Sequence, residues 1–167
     1  MGVMGVELYF LRSERMDFKN LEIHFIGFCN AQSAEMRECS FTDCEIHSCF
    51  MDRTKVRDSR WENAVFKKMY MEKCVFDEVN LNSSSYNNMS MLSSSFKNAA
   101  LNETNFKDTA LTDCRFDNSN ISGSKFVGAD LSGVEIDGEC NIEGMTVDGI
   151  PVEELLKLYK EKIFNER

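Results

Sequence analysis

The sequence predicts an all-β solenoid, and three observations predict it. Every fifth residue from Leu11 to Ile136 is apolar, 26 positions in one register. Two residues before these centres, from position 29 onward, runs a second column that is small almost throughout, beginning Cys29, Ala34, Cys39, Cys44, Cys49, Thr54, Ser59 and Ala64. Asn, Asp, Lys, Glu, Ser and Gly dominate the positions between. A period of five fits neither a helix nor a flat strand. Hydrophobic residues make up 43% of the chain, so a run of this length is not chance. A short repeat through most of a chain means stacked coils.

The elements follow in order. Residues two apart on an extended segment point the same way, so the small and large columns share one interior. A turn after each segment makes a corner, four corners close a coil, and coils stack ~4.8 Å apart. Residues 1–20 keep the centres but put Tyr9, Glu14 and Lys19 in the small column, and His24 follows there; they predict a cap or an irregular first coil. Residues 21–138 carry the repeats. Their centres Phe66, Phe76, Tyr86, Phe96, Phe106, Phe116 and Phe126 fall ten apart, with Met71, Leu81, Met91, Leu101, Leu111, Ile121 and Leu131 between, so aromatic rings should line two opposite faces. Met69 and Met89 interrupt the small column and predict a wider or distorted wall there. Gly123, Gly128, Gly133 and Gly138 each stand two residues after a centre, where a type II turn would use φ > 0.

Residues 139–167 predict a turn and an amphipathic helix. Pro151 suits the first helical turn, Glu153 and Glu154 its start, and Lys157, Lys160 and Lys162 its end. Val152, Leu155, Leu156, Tyr159 and Ile163 share one face, which Leu158 and Phe164 widen. One side is expected to close the β-helix. Leu155, Leu158, Tyr159, Ile163 and Phe164 are expected to pair with a second subunit.

Composition narrows function. A chain of 167 residues is one domain in size. A net charge of −9 disfavours direct binding to nucleic acid or to an anionic membrane. No apolar run is long enough to span a bilayer. The first residues lack a basic segment followed by an apolar stretch, so a signal peptide is not expected and the reading is cytoplasmic. Cys39, Cys44 and Cys49 are spaced like ligands but point inward from three different faces, and buried thiols account for them better than a metal does. Cys140 falls beyond the repeats and is expected to be accessible. His24 and His47 have no nucleophile beside them in the pattern, the carboxylates lie on outward turns, and Ser and Thr of the small column fill space. A packed interior leaves no cofactor cavity. The chain is expected to be non-enzymatic, with no cofactor and no metal.

Two outward faces stand out. Phe50, Tyr70 and Leu92 lie outside centres 51, 71 and 91 and form a candidate partner face. Around centres 36 to 136, Glu35, Glu38, Asp58, Asp77, Glu78, Asp117, Glu135 and Asp137 form a candidate acidic face, with Arg37, Lys55, Arg57, Lys97 and Arg115 interleaved.

The repeat Ala129-Asp130-Leu131-Ser132-Gly133, with Ser119-Asn120-Ile121-Ser122-Gly123 and Thr104-Asn105-Phe106-Lys107-Asp108 close to it, resembles the motif of the pentapeptide-repeat family. The resemblance spans about residues 21–138. It implies a right-handed quadrilateral β-helix of about six coils with a C-terminal α-helix. In several members the C-terminal end makes a two-fold dimer, which implies a homodimer here. The function implied is a rigid protein-binding rod with an unknown protein partner. Some dimeric members imitate duplex DNA and bind DNA gyrase, inhibiting it or protecting it from quinolones, which makes DNA gyrase the alternative partner.

Overall fold

The computed structural model describes residues 6–12, 17–19 and 23–165, with side chains from 30 to 163. Strands β1 (Val6–Arg12), β2 (Asp17–Lys19) and β3 (Ile23–Asn30) come first. Three-residue strands then recur every ten residues: β4 (Glu35–Arg37), β5 (Glu45–His47), β6 (Lys55–Arg57), β7 (Val65–Lys67), β8 (Val75–Asp77), β9 (Ser85–Asn87), β10 (Ser95–Lys97), β11 (Asn105–Lys107), β12 (Arg115–Asp117), β13 (Lys125–Val127) and β14 (Glu135–Asp137). β15 (Thr146–Val147), β16 (Ile150–Pro151) and helix α1 (Val152–Asn165) follow.

Odd-numbered strands from β1 to β15 form one parallel sheet, and β16 folds back antiparallel at its end. Even-numbered strands from β2 to β14 form a second parallel sheet. The two remaining faces are parallel bridge ladders, one through Asn30, Phe50, Tyr70, Ser90, Ala110 and Asp130, the other through Ser40, Arg60, Asn80, Ala100, Asn120 and Asn141. Four faces thus close each coil, giving a β-solenoid of about six turns. In each strand from β4 to β13 the middle residue is buried and its neighbours are not, as alternation on an extended segment requires.

The interior is built from stacked rings. Phe66, Tyr86, Phe106 and Phe126 form one column and Phe76, Phe96 and Phe116 the opposite one, with centroids 4.8–4.9 Å apart and planes within 9°. Toward the N-terminus the same faces carry Ile46, Met36 and Val56 instead. The volume is filled from a neighbouring face by Phe41 and Trp61, whose centroids are 4.8 Å apart; Trp61 also meets Phe66 at 5.4 Å and the edge of Phe76 at 5.7 Å. Large and small faces exchange so that the interior stays close-packed. Met69 and Met89 are buried in the small column, and the ladder continues unbroken through Tyr70↔Ser90 and Ser90↔Ala110, so the expected distortion of the backbone is not found.

The corners are of two kinds. After most centres of the bridged faces, the residue three further on donates its N–H to the centre's carbonyl, as Cys114 does to Leu111 at 3.0 Å and Thr104 to Leu101 at 3.3 Å, whereas Ala64 and Cys74 donate to the Ser84 and Ser94 hydroxyls of the next coil. After the strand centres the chain makes an open bend. Both kinds place the residue two after the centre at φ between +49° and +68°, from Ser33 to Gly138, whether or not it is glycine. Gly123 and Gly133 therefore sit in hydrogen-bonded turns of type II character, and Gly128 and Gly138 in bends.

The register departs from the repeat at both ends. Leu8 pairs with Ile26 and Phe18 with Met36, eighteen residues apart rather than twenty, and a bulge lies between Val6 and Glu7. The apolar residue at position 11 is thus not in line with the later centres, and Met16 and Leu21 lie outside the described residues. At the other end Asn120 bridges to Asn141 and Phe126 pairs with Val147, so one extra residue enters after Asp137 and the coil continues past 138. Ile142 and Val147 are the centres of this shifted coil, and Gly144 at φ +67° and Gly149 at φ +80° take its corners.

Candidate interaction surfaces

Interior side chains have structural work that the sequence reading assigned only to volume. Thr54 donates to the Ala31 carbonyl at 2.9 Å, Ser94 to Met71 at 2.7 Å, Thr104 to Leu81 at 3.2 Å and Ser124 to Leu101 at 2.6 Å, each one coil back. They satisfy corner carbonyls that would otherwise be buried without a full complement of partners. Cys74 and Cys114 make the same bond through Sγ, to Met51 at 2.9 Å and Met91 at 2.8 Å. Burial pushes the Cys44 and Cys74 thiols up to about 12 and Cys114 to about 11. Such thiols stay protonated and are poor nucleophiles and poor metal ligands. No group of three or more His, Cys, Asp and Glu among the described residues is placed to hold a metal ion. The side chains of Cys29 and His24 lie outside those described. Cys140 is half-buried rather than accessible: it takes the small position of the shifted coil, its thiol donates to the Asp137 carbonyl at 3.0 Å, and Ser119 N–H points at its Sγ at 3.2 Å.

The candidate partner face is brought together only in part. Phe50 and Tyr70 stand one coil apart in a bridged column, rings parallel to 4° with centroids 5.0 Å apart, and they are 45% and 49% exposed. Leu92 belongs to the column on the other side of the centres, with Asp52 and Glu72, and is half-buried. The Ser90 hydroxyl donates to Glu72 Oε1 at 3.1 Å, which puts a polar pair between Tyr70 and Leu92.

The candidate acidic face is the outer surface of the even-numbered sheet. Glu35 is ion-paired with Arg37 on its own strand, and that hydrogen bond holds its carboxyl below the usual range. Arg115 bridges Asp137 at 2.9 Å and Glu135 at 3.8 Å. Along one column the order is Arg37, Arg57, Asp77, Lys97, Asp117 and Asp137, so both signs alternate over most of its length. Glu38, Asp58 and Glu78 are gathered at one corner, on a groove that Arg60 and Asn80 also line.

Helix α1 does not close the β-helix. Val152 packs against the core, but Leu155, Leu156, Leu158, Tyr159 and Ile163 are exposed, with Leu158 at 62% and Tyr159 at 64%. Leu131 and Val134 of the last coil are only partly covered, and Ile136 is 40% exposed. Phe164 lies in the helix, but its side chain is outside those described. Among the described residues no helix is long and apolar enough to cross a membrane.

A family profile described as a pentapeptide repeat region matches residues 69–147. Residues 69–147 are thus a pentapeptide-repeat region. No curated protein shows significant similarity to the chain. Solved structures that match include a trypsin-treated form of QnrB1, a plasmid-mediated fluoroquinolone resistance protein, at 12% identity and TM-score 0.39 over 94% of this chain and 98% of that one. Rfr23 of the cyanobacterium Cyanothece 51142 matches at 11% identity and TM-score 0.29 over 74% and 87%. HetL of the cyanobacterium Nostoc sp. strain PCC 7120, involved in heterocyst differentiation regulation, matches at 9% and 0.24 over 86% and 87%.

Proposed function

We propose that this protein is a non-enzymatic interaction module that binds a protein partner through the face carrying Phe50 and Tyr70 and pairs with a second copy through α1. One observation carries the partner reading. The other parallel ring columns of the described solenoid run through the buried interior, whereas the Phe50–Tyr70 stack stands outside it, half-exposed. Exposed aromatic side chains on a rigid scaffold are the usual anchors of protein interfaces. The alternation of Arg57, Lys97 and Arg115 with the carboxylates of the even-numbered sheet works against imitation of DNA, which presents phosphate charge of one sign along its length.

Affinity capture from a cell lysate with the native chain and with a Phe50→Ser/Tyr70→Ser variant tests the partner reading. At least one protein should be retained by the first and lost by the second. Equal capture by both would sink it. Supercoiling by purified gyrase, titrated with the protein, should be unaffected; inhibition that disappears in Asp77→Asn/Glu78→Gln/Asp117→Asn would replace the reading with DNA mimicry.

A further inference from the structure

We infer that the tier above Tyr70 is a slot for an arginine side chain of a basic partner segment, an inference that rests on the partner reading of this face. The column that carries Phe50 and Tyr70 continues as Ser90 and Ala110, so the ring stack stops where the side chains become small. One ring face of Tyr70 is covered by Phe50, parallel at 5.0 Å, and the other looks along the column toward Ser90. Beside it a groove of about 430 Å³ is lined by Lys68, Asn88 and Asp108 on the corner and by Tyr70 and Ser90 on the face. A second carboxylate stands beside the lining, where the Ser90 hydroxyl donates to Glu72 Oε1 at 3.1 Å. Asp52 lies one coil below and accepts from Glu72 N–H at 3.1 Å.

A planar group inserted at the Ser90 level extends the existing stack by one member. The two carboxylates decide which planar group. A neutral aromatic ring would cover Glu72 and Asp108 without pairing them, at a desolvation cost. A guanidinium lies flat on the tyrosine face and forks to a carboxylate. A lysine ammonium offers charge but neither the plane nor the fork. Lys68 and Asp108 offset one another on the lining. Glu72, held by the Ser90 hydroxyl, adds a carboxylate beside it, so the balance at the Ser90 tier favours a cationic guest. The acidity of the whole chain, net −9, acts in the same direction.

The test uses the full chain and fluorescein-labelled arginine-rich, lysine-rich and citrulline-rich peptides of equal length, read by fluorescence anisotropy at physiological salt. The arginine peptide should bind about tenfold tighter than the lysine peptide, and the citrulline peptide, planar but neutral, should bind more weakly still. Ser90→Phe extends the ring column across the slot from an outward position and should weaken arginine binding about tenfold. Asp108→Asn should weaken it as well. Circular dichroism and thermal melting of Ser90→Phe confirm that the coil is retained; if it is not, Tyr70→Leu, which stays apolar but removes the π face, takes its place. Equal binding of the arginine and lysine peptides, or arginine binding unchanged in these variants, overturns the inference. If lysate capture depends on Phe50 and Tyr70 while the peptides show no arginine preference, the face binds by other chemistry and only this inference falls. If capture is independent of the two rings, the partner reading falls whatever the peptides do.

Discussion

Tyr86 is the residue where this interior departs furthest from its own rule. It stacks between Phe66 and Phe106 at 4.8 and 4.9 Å, fully buried, yet its hydroxyl meets no hydrogen-bond partner. Burial raises its ionisation well above the ordinary range. A buried hydroxyl without a partner costs about 1–3 kcal/mol. Tyr86→Phe keeps the ring and removes that cost, so it should stabilise the fold by about 1–2 kcal/mol in denaturant unfolding, with the slope unchanged. A loss of stability would mean that the hydroxyl is satisfied by trapped water. The buried thiols give a second residue-scale expectation. Cys44, Cys74 and Cys114 titrate at about 11–12 in the fold against 9.0 in a free chain. Above pH 9 the unfolded chain therefore releases protons that the folded chain keeps, and stability falls as pH rises toward 12. Each thiol contributes a slope of up to about 1.4 kcal/mol per pH unit in that window. Unfolding measured at pH 7, 9 and 10.5 should show the decline, and a Cys44→Ser/Cys74→Ser/Cys114→Ser variant should flatten it. A decline of the same size in the variant would assign it to other groups.

At the scale of the turn, Ser84 and Ser94 each join two coils through one hydroxyl, and Ser84 illustrates how. Its hydroxyl donates to the Trp61 carbonyl at 2.6 Å and accepts from Ala64 N–H at 3.2 Å, joining two coils at a buried corner. Ser84→Ala leaves both backbone groups unpaired and should cost about 2–3 kcal/mol, seen as a lower urea midpoint. Ser84→Cys should recover part of the loss, because Cys74 makes the equivalent bond to Met51. The sequence carries the columns of this fold plainly: Phe66 to Phe126 stack where the period of ten places them. It does not announce these hydroxyl bonds, because a serine that fills space and a serine that closes a turn look alike in a column of small residues. Nor does it mark the corners uniquely, since Arg53, Lys73 and Glu78 adopt φ of +59°, +56° and +56° as readily as the late glycines adopt theirs. The shifted last coil was legible in principle: Gly144 and Gly149 keep the spacing of five after Gly138 once one residue is skipped. The eighteen-residue first coil was not, because Leu11 and Met16 continue the apolar period although the backbone pairs Leu8 and Phe18 with the next coil. On the partner face, spacing alone put Leu92 with Phe50 and Tyr70; the side of the centre column on which each residue stands separates them.

For the whole molecule the decisive contrast lies between its faces and its C-terminal end. Parallel coils pair each strand with the next, so a solenoid concentrates its exposed backbone and apolar surface at its termini, where a cap is required. Here β14 ends its sheet, Ile136 is exposed, and α1 leaves Leu155, Leu156, Leu158, Tyr159 and Ile163 uncovered. Exposed apolar side chains gathered on one helix at one end suit a subunit interface, which supports the proposed pairing of two copies. A second copy placed on a two-fold axis covers both ends at once, and isologous contact is the commonest way to do so. The protein should therefore show twice its chain mass in light scattering at micromolar concentration. Leu158→Glu/Tyr159→Glu, at the two most exposed apolar positions of the helix, should give a monomer. The β-helix itself should survive the change, because neither side chain packs against the core: the strand signal in circular dichroism should be retained and the melting temperature should fall only by the part that association contributed. A native chain of monomer mass would end the dimer reading, and a variant that lost the strand signal would mean that α1 holds the last coil in place.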